Sequence, residues 1–115
     1  MDEIPSWNII FFETARGEKY VQEFIRSLDA STISKVTHHI DLLEKHGPFL
    51  SMPYAKKLTT VLYELRIRGK QEARIIYSFI GKDAYLLHGF KKKTQRTPQK
   101  EIEISIQRLG SLKSV

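Results

Sequence analysis

The spacing of apolar residues changes once along the chain, from helical to strand-like. Residues 7–12, WNIIFF, form a short apolar run of aromatic and β-branched types, which predicts a buried strand. Apolar side chains then recur on one helix face between residues 18 and 28, and at intervals of three and four between residues 33 and 43. Ser31 or Thr32 is the expected N-cap of the second helix, and Gly47 with Pro48 is its expected stop. The first half therefore predicts a strand followed by a helical hairpin.

Beyond Pro53 the apolar residues alternate, which is typical of strands. In residues 62–68, LYELRIR, one face carries Tyr63, Leu65 and Ile67, and the other carries Leu62, Glu64, Arg66 and Arg68. Residues 72–80, EARIIYSFI, and 84–90, AYLLHGF, predict two further strands, each preceded by a short turn that contains glycine. These connections are too short for crossover helices, so the three strands are predicted to form an antiparallel meander.

A last helix is predicted to open at Thr97, the N-cap, with Pro98 in the first helical position, and to end at Gly110. Its inward-facing residues recur at helical spacing: Ile102, Ile106 and Leu109. The residues after Gly110 are expected to fray. The order of elements predicts one α+β domain over residues 1–115, with the helices packed on one face of an antiparallel sheet and the other face open.

The chain carries a net charge of +6, and this charge is unevenly distributed. Residues 1–53 hold five Lys or Arg against eight Asp or Glu, whereas residues 54–100 hold twelve against three. A basic segment with aromatic residues spread through it is typical of a surface that binds a polyanion. The alternative is a basic surface that only keeps the protein soluble.

The sequence lacks three features, and each absence excludes some kinds of protein. Without cysteine there is no disulfide, no thiol nucleophile and no Cys-ligated metal. No stretch approaches the roughly 20 apolar residues of a membrane span. Asp2 and Glu3, rather than basic residues, precede WNIIFF, which argues against a secretion signal and favours the cytoplasm.

The open face of the predicted sheet brings candidate residues together. Alternate residues of neighbouring strands point the same way, so Arg66, Arg74 and His88 are expected to converge there, with Lys91–Lys93 at the edge. Such a group suits metal-free RNA cleavage, in which the 2′-hydroxyl is the nucleophile and the protein supplies a base, an acid and positive charge for the transition state. Histidine is the natural proton carrier, and crowding of the lysines, which favours the neutral amine of one of them, is a second route.

Each candidate also has a purely structural interpretation. Arg66 and Arg74 are then surface arginines paired with Glu64 or Glu72. His88, in an apolar strand, is then a packed and hydrogen-bonded histidine.

Other chemistries find less support in the sequence. The basic segment holds only three carboxylates, at Glu64, Glu72 and Asp83, which are too few for a two-metal nuclease. His38 and Asp41, in HHID, lie one helical turn apart, but the polar face of an amphipathic helix accounts for them. There is no phosphate-binding glycine loop and no zinc-finger spacing, and an acidic hairpin joined by DAST opposes a DNA-binding helix-turn-helix.

Three runs occur in a fixed order: LYELR, then ARIIY, then LLHGFKKKTQRTP followed by the predicted helix. Over residues 7–110 this ordered set resembles the toxins of bacterial type II toxin–antitoxin systems in the RelE/ParE superfamily, most closely the phage-derived HigB-like branch. The resemblance implies a small RelE-like α+β fold and a ribosome-dependent endonuclease that cuts mRNA in the ribosomal A site. It also implies a cognate antitoxin, usually a helix-turn-helix protein of the HigA type, and no cofactor is expected.

The resemblance further implies roles for particular residues. Arg66 and Arg74 match the strand residues that bind and stabilise the scissile phosphate. Lys92 matches the basic position after the last strand, and His88 resembles a histidine found near it in HigB-like toxins. Six further basic residues are expected to bind RNA: Lys56, Lys57, Arg68, Lys91, Lys93 and Arg96. RelE has a tyrosine in its C-terminal segment that takes part in cleavage, whereas no aromatic residue follows Phe90 here, so His88 or a lysine must transfer protons.

Two other functions stay open. A ParE-like inhibitor binds DNA gyrase without cleaving RNA, and it has no need of arginines and lysines in this arrangement. A non-catalytic module of the same fold binds RNA or ribosomes and does not arrest translation. In the toxin interpretation, the antitoxin is expected to neutralise the basic face or to hinder entry into the ribosome.

Overall fold

The computed structural model describes residues 6–113, which form a five-stranded mixed sheet and three α-helices. Along the chain the elements are β1 (Asn8–Phe11), α1 (Tyr20–Arg26), α2 (Ala30–His46), β2 (Ala55–Lys57), β3 (Tyr63–Ile67), β4 (Ala73–Ile80), β5 (Asp83–Lys91) and α3 (Gln99–Lys113). The strands are ordered β1-β5-β4-β3-β2 across the sheet. This architecture confirms the predicted α+β class and is compatible with a small RelE-like domain. Within the described residues, no helix is both long enough and apolar enough to cross a membrane.

The predicted meander of β3, β4 and β5 is confirmed, and a further strand joins it at each edge. β4 is antiparallel to both neighbours, with Arg66 opposite Arg74 and Ile76 opposite His88. β1 lies parallel to β5 at one edge and is only half-buried, because an edge strand has a neighbour on one side alone. β2 lies at the other edge and is absent from the prediction, since AKK has no alternation of apolar and polar residues.

α1 and α2 form the predicted hairpin and cover one face of the sheet. Apolar strand residues, among them Leu65, Ile75 and Leu86, pack against both helices in one continuous core. Gly89 lets α1 approach β5 closely, because a Cβ at this position would lie 2.3 Å from Cδ2 of Phe24.

Local capping sets the ends of α2. The helix begins after Asp29, whose Oδ1 accepts a hydrogen bond from the Thr32 amide at 2.8 Å. The predicted N-caps, Ser31 and Thr32, are therefore wrong, because the aspartate already satisfies an amide that lacks a helical partner. The predicted stop is confirmed, since Gly47 adopts a φ of 55°, which is accessible to glycine at little cost.

α3 packs on the opposite face of the sheet, which corrects the expectation that all helices share one face. Ile102 and Leu109 of the helix join a second core with Ile76 and Leu87 of the strands. Charged side chains on this sheet face are buried with it, which is tolerable only where they pair with one another.

The bounds of α3 differ from the prediction at both ends. The helix begins at Gln99, one residue later than predicted, and the hydroxyl of Thr97, the predicted N-cap, donates to Glu64. The helix also continues past Gly110, which has open space around it, as far as Lys113.

The packing of α3 confirms two of its three predicted inward positions. Ile102 and Leu109 face the sheet, whereas Ile106 is 50% exposed. Residues 114–115, at the end that is expected to fray, lie outside the described residues, as do Asp2 and Glu3.

Candidate nucleic-acid interface

An open basic cleft lies between the β2–β3 edge of the sheet and the connector, residues 92–98, which joins β5 to α3. Its volume is about 850 Å³. Four cationic side chains line it: Lys56 and Lys57 from β2, Arg66 from β3 and Arg96 from the connector. Among residues 6–113, no acidic side chain lines the cleft. An anion that enters it therefore meets positive charge from three separate segments.

A buried carboxylate lies beneath the cleft. Glu64 is fully buried, and its Oε1 accepts a hydrogen bond from Nη1 of Arg74 at 2.8 Å. Its Oε2 accepts a second bond, at 2.7 Å, from the hydroxyl of Thr97 in the connector. Nε of Arg66 lies 3.5 Å from the same Oε1 without a hydrogen bond. Two guanidinium groups thus share one carboxylate, so the cluster keeps an excess of positive charge.

The sheet register explains this cluster. Arg66 and Arg74 are directly opposite each other in the β3–β4 pair, and Glu64 lies two residues before Arg66 on the same face. The facing cations would repel each other, so the carboxylate between them allows α3 to cover this face. Because Thr97 binds the same carboxylate, the wall of the cleft is fixed to the sheet.

Arg66 is the member of this cluster that lines the cleft. Its side chain is 14% exposed, and its Nη1 donates to Sδ of Met52 at 3.6 Å, which is a weak acceptor. Its Nε has no hydrogen-bond partner within residues 6–113, but it is buried next to Glu64, so the terminal Nη groups are the donors left for the cleft. A guanidinium with five donors and so few acceptors is well suited to bind a phosphate oxygen that enters from the cleft.

Two other predicted catalytic residues are paired with carboxylates. Arg74 is 6% exposed and bonded to Glu64, so it does not lie on an open face as expected. The structural alternative, pairing with Glu64, is confirmed for Arg74, although the pair is buried rather than exposed. Nζ of Lys92 lies 3.2 Å from Oε2 of Glu72, and the Lys92 amide donates to the Glu72 carbonyl.

His88 lies on the sheet face that α3 covers and does not line the cleft. Its Nε2 is 2.8 Å from Oε1 of Glu101, and Nη1 of Arg108 is 3.4 Å from its Nδ1. A guanidinium only donates, so this contact favours a neutral ring in which Nδ1 accepts and Nε2 donates to Glu101. Burial lowers the pKa of His88, and the Glu101 carboxylate offsets this only in part. The expected convergence of His88 with both arginines on an open surface is therefore wrong.

The basic residues predicted to bind RNA fall into three places. Lys56, Lys57 and Arg96 line the cleft. Lys91 and Lys93 line a second groove that borders the connector. Arg68 is exposed just beyond the end of β3.

Sequence reasoning names Glu64 only as a surface partner of the arginines, and it misses Thr97 as part of the site. For Glu64 a signal exists, because it lies two residues before Arg66 and hence on the same strand face, as Glu72 does before Arg74. For Thr97 no signal exists, because a threonine before Pro98 fits a helix N-cap equally well.

No group of three His, Asp or Glu side chains in residues 6–113 is arranged to hold a metal ion. His38 and Asp41 are exposed on α2, as the polar face of an amphipathic helix predicts. His39 between them is buried, with its Nδ1 2.8 Å from the Lys35 carbonyl.

Comparison with known proteins places the chain in a family. No curated protein matches it significantly. A family model described as phage-derived protein Gp49-like (DUF891) matches residues 23–110, which include β2–β5, the connector and every residue of the basic cleft. Because this match spans most of the chain, the protein belongs to the phage-derived Gp49-like family of RelE/toxin-type proteins.

Proposed function

We propose that this protein is the toxin of a type II toxin–antitoxin system and a HigB-like, ribosome-dependent mRNA endonuclease. The observation that carries the proposal is the basic cleft, which is lined by Arg66 above the buried Glu64 and in which the Nη1 of Arg66 is bound only by the weak acceptor Sδ of Met52. The protein acts in the cytoplasm on mRNA in the ribosomal A site. A cognate antitoxin of the HigA-like helix-turn-helix kind neutralises it.

The reaction uses the nucleophile that RNA itself carries. The 2′-oxygen loses its proton and attacks the adjacent phosphorus, while the bond from phosphorus to the 5′-oxygen breaks and that oxygen takes up a proton. The products are a 2′,3′-cyclic phosphate and a 5′-hydroxyl end. Arg66 stabilises the negative charge on the non-bridging oxygens, and Lys56, Lys57 and Arg96 bind the flanking phosphates.

A second candidate function is a non-catalytic RNA- or ribosome-binding module of the same fold. The observation that favours it is that all four side chains predicted to be catalytic lie near carboxylates. Three are within 3.2 Å, Arg74 with Glu64, His88 with Glu101 and Lys92 with Glu72, and Arg66 is 3.5 Å from Glu64. Proton transfer by His88 or Lys92 requires that side chain to leave its partner. Binding of RNA by the cleft requires no such movement.

The ends of the mRNA separate these candidates. We expect the protein to cut a message within translated codons in a reconstituted translation system, and to leave it intact when ribosomes are omitted. The 3′ ends should carry a 2′,3′-cyclic phosphate, detected with a ligase that requires this group. An intact message with the protein bound to ribosomes would support the non-catalytic module. An intact message with stalled DNA gyrase complexes would support a ParE-like inhibitor.

A further inference from the structure

A second depression, here called the aromatic groove, borders the connector and has a different chemistry from the cleft. Its volume is about 540 Å³, and its apolar lining comes from Phe24 of α1, Phe90 of β5 and Pro98. Three cations accompany these residues: Lys91, Lys93 and Lys100. Proteins bind single-stranded nucleic acid with this combination, because aromatic rings stack on bases while cations follow the backbone.

The fold holds both rings of the groove in place. Phe24 packs against the β5 backbone at Gly89, where any Cβ would lie 2.3 Å from its Cδ2. Phe90 stacks on the His88 ring, with centroids 5.7 Å apart and planes inclined by 23°. A ring that is already positioned loses little conformational entropy when a base stacks on it.

The charges around the groove favour an anionic occupant. Glu101 is the one acidic residue among the described residues that line it, and its carboxylate is already bound to His88 at 2.8 Å. Within residues 6–113, no ion pair holds Lys91, Lys93 or Lys100. These lysines are therefore available to phosphates at the rim.

The groove and the basic cleft share Thr94 and Pro98, so the connector separates two adjoining sites. We propose that the aromatic groove is a nucleobase subsite for the same single-stranded RNA whose phosphate binds at Arg66. The strand crosses the connector, and one unstacked base lies in the groove between Phe24, from the α1 side of the sheet, and Phe90, from the α3 side, while the neighbouring phosphates bind the lysines. This inference rests on the proposed function for its ligand, RNA, and does not require that the RNA is cleaved.

The test measures binding without cleavage. A fluorescent single-stranded 2′-O-methyl RNA, which lacks the nucleophilic hydroxyl, is titrated with the whole protein in the absence of ribosomes. We expect Phe90→Leu and Phe24→Leu each to weaken binding by about fivefold or more, because leucine keeps apolar bulk but cannot stack on a base. Phe79→Leu is the control, since Phe79 packs against Trp7 and Tyr63 away from the groove, and its affinity should stay within about twofold of wild type.

RNAs with a single abasic position separate stacking from a general defect of the variants. At the position that occupies the groove, removal of the base should weaken wild-type binding, and Phe90→Leu should cause no further loss on that RNA. Wild-type affinity in both groove variants, or the same loss for Phe90→Leu at every abasic position, would overturn the proposal. So would preferential binding of an acidic, aromatic peptide that both variants lose. Base-dependent binding in the groove without any cleavage of translated mRNA would support the subsite and contradict the endonuclease.

Discussion

Glu64 is fully buried beside two arginines, and its position decides how much positive charge reaches the cleft. Its carboxylate binds Arg74 at 2.8 Å and leaves Arg66 with a contact of 3.5 Å. The alternation of the sequence correctly puts Glu64 and Arg66 on one strand face. Alternation does not reveal that a helix covers this face, because the cost of burying charges depends on which partners they find in three dimensions.

Replacing Glu64 by glutamine keeps the size of the side chain and removes its charge. Arg74 then becomes a buried cation without a counter-charge, so we expect the free energy of unfolding in urea to fall by about 3–5 kcal/mol. Glu72→Gln is the control, because it breaks a more exposed pair with Lys92 and should cost about 1 kcal/mol or less. Adding Arg74→Met to Glu64→Gln should recover most of the loss. Equal losses in the two single variants would contradict the buried network.

His88 predicts a pH dependence of stability. Burial lowers its pKa in the folded protein, so below about pH 6.5, the usual value for histidine, the unfolded chain binds a proton that the folded protein resists. The contribution of His88 is therefore complete above that pH and is lost as the pH falls towards the lowered pKa. We expect the free energy of unfolding to fall less between pH 7 and pH 5 in His88→Gln than in wild type. If the free energy of unfolding changed equally with pH in both proteins, His88 would not be held neutral in the folded protein.

Among the elements, strands with strict alternation are predictable from the sequence, whereas the short edge strand and the placement of α3 are not. The ends of β3, β4 and β5 lie within one residue of the predicted ones. β2 has three residues and owes its existence to pairing with β3, a non-local interaction. The apolar stripe of α3 shows that the helix packs somewhere, but both faces of the sheet offer apolar residues to it.

Alanine substitutions at two glycines test how the helices pack, because they are expected to change the stability of the protein in opposite directions. Gly110 lies within α3 with open space around it, so we expect Gly110→Ala to stabilise the protein by about 0.5–1 kcal/mol. At Gly89 a Cβ would meet the Phe24 ring, so Gly89→Ala should destabilise it by about 1–3 kcal/mol. Thermal denaturation of both variants measures these two changes in stability. A destabilising Gly110→Ala would mean that α3 ends near this residue, as the sequence alone predicts.

The position of the connector depends on the hydroxyl group of Thr97. Thr97→Val removes the bond to Oε2 of Glu64, and we expect a loss of about 1–3 kcal/mol together with faster amide hydrogen exchange in residues 92–97. Thr97→Ser keeps the hydroxyl and should retain the slow exchange. Slow exchange in Thr97→Val, which keeps the methyl group and lacks only the hydroxyl, would contradict the role of the hydrogen bond.

At the scale of the whole molecule, the fold divides the positive charge that the sequence concentrates in residues 54–100. Arg74 and Lys92 are paired with Glu64 and Glu72, whereas other cations line the cleft and the aromatic groove. The sign and amount of this charge are predictable from the sequence. The class of molecule that such a surface binds, a polyanion, is predictable as well. Which cations stay free is not predictable, because it depends on strand register and on the face that α3 covers.

Primer extension on translated mRNA tests the central claim most directly, with wild-type protein beside Arg66→Ala, Arg96→Ala and a control, Arg16→Ala. Arg16 is exposed and lies outside the cleft, so this control matches the charge removed. We expect wild type and the control to cut within translated codons. Arg66→Ala, still folded by circular dichroism, should cut at least about 100-fold more slowly, because it lacks the group that stabilises the transition-state charge. Arg96→Ala should cut more slowly than the control. Cleavage by Arg66→Ala at the wild-type rate, or an intact message with wild-type protein, would contradict the account.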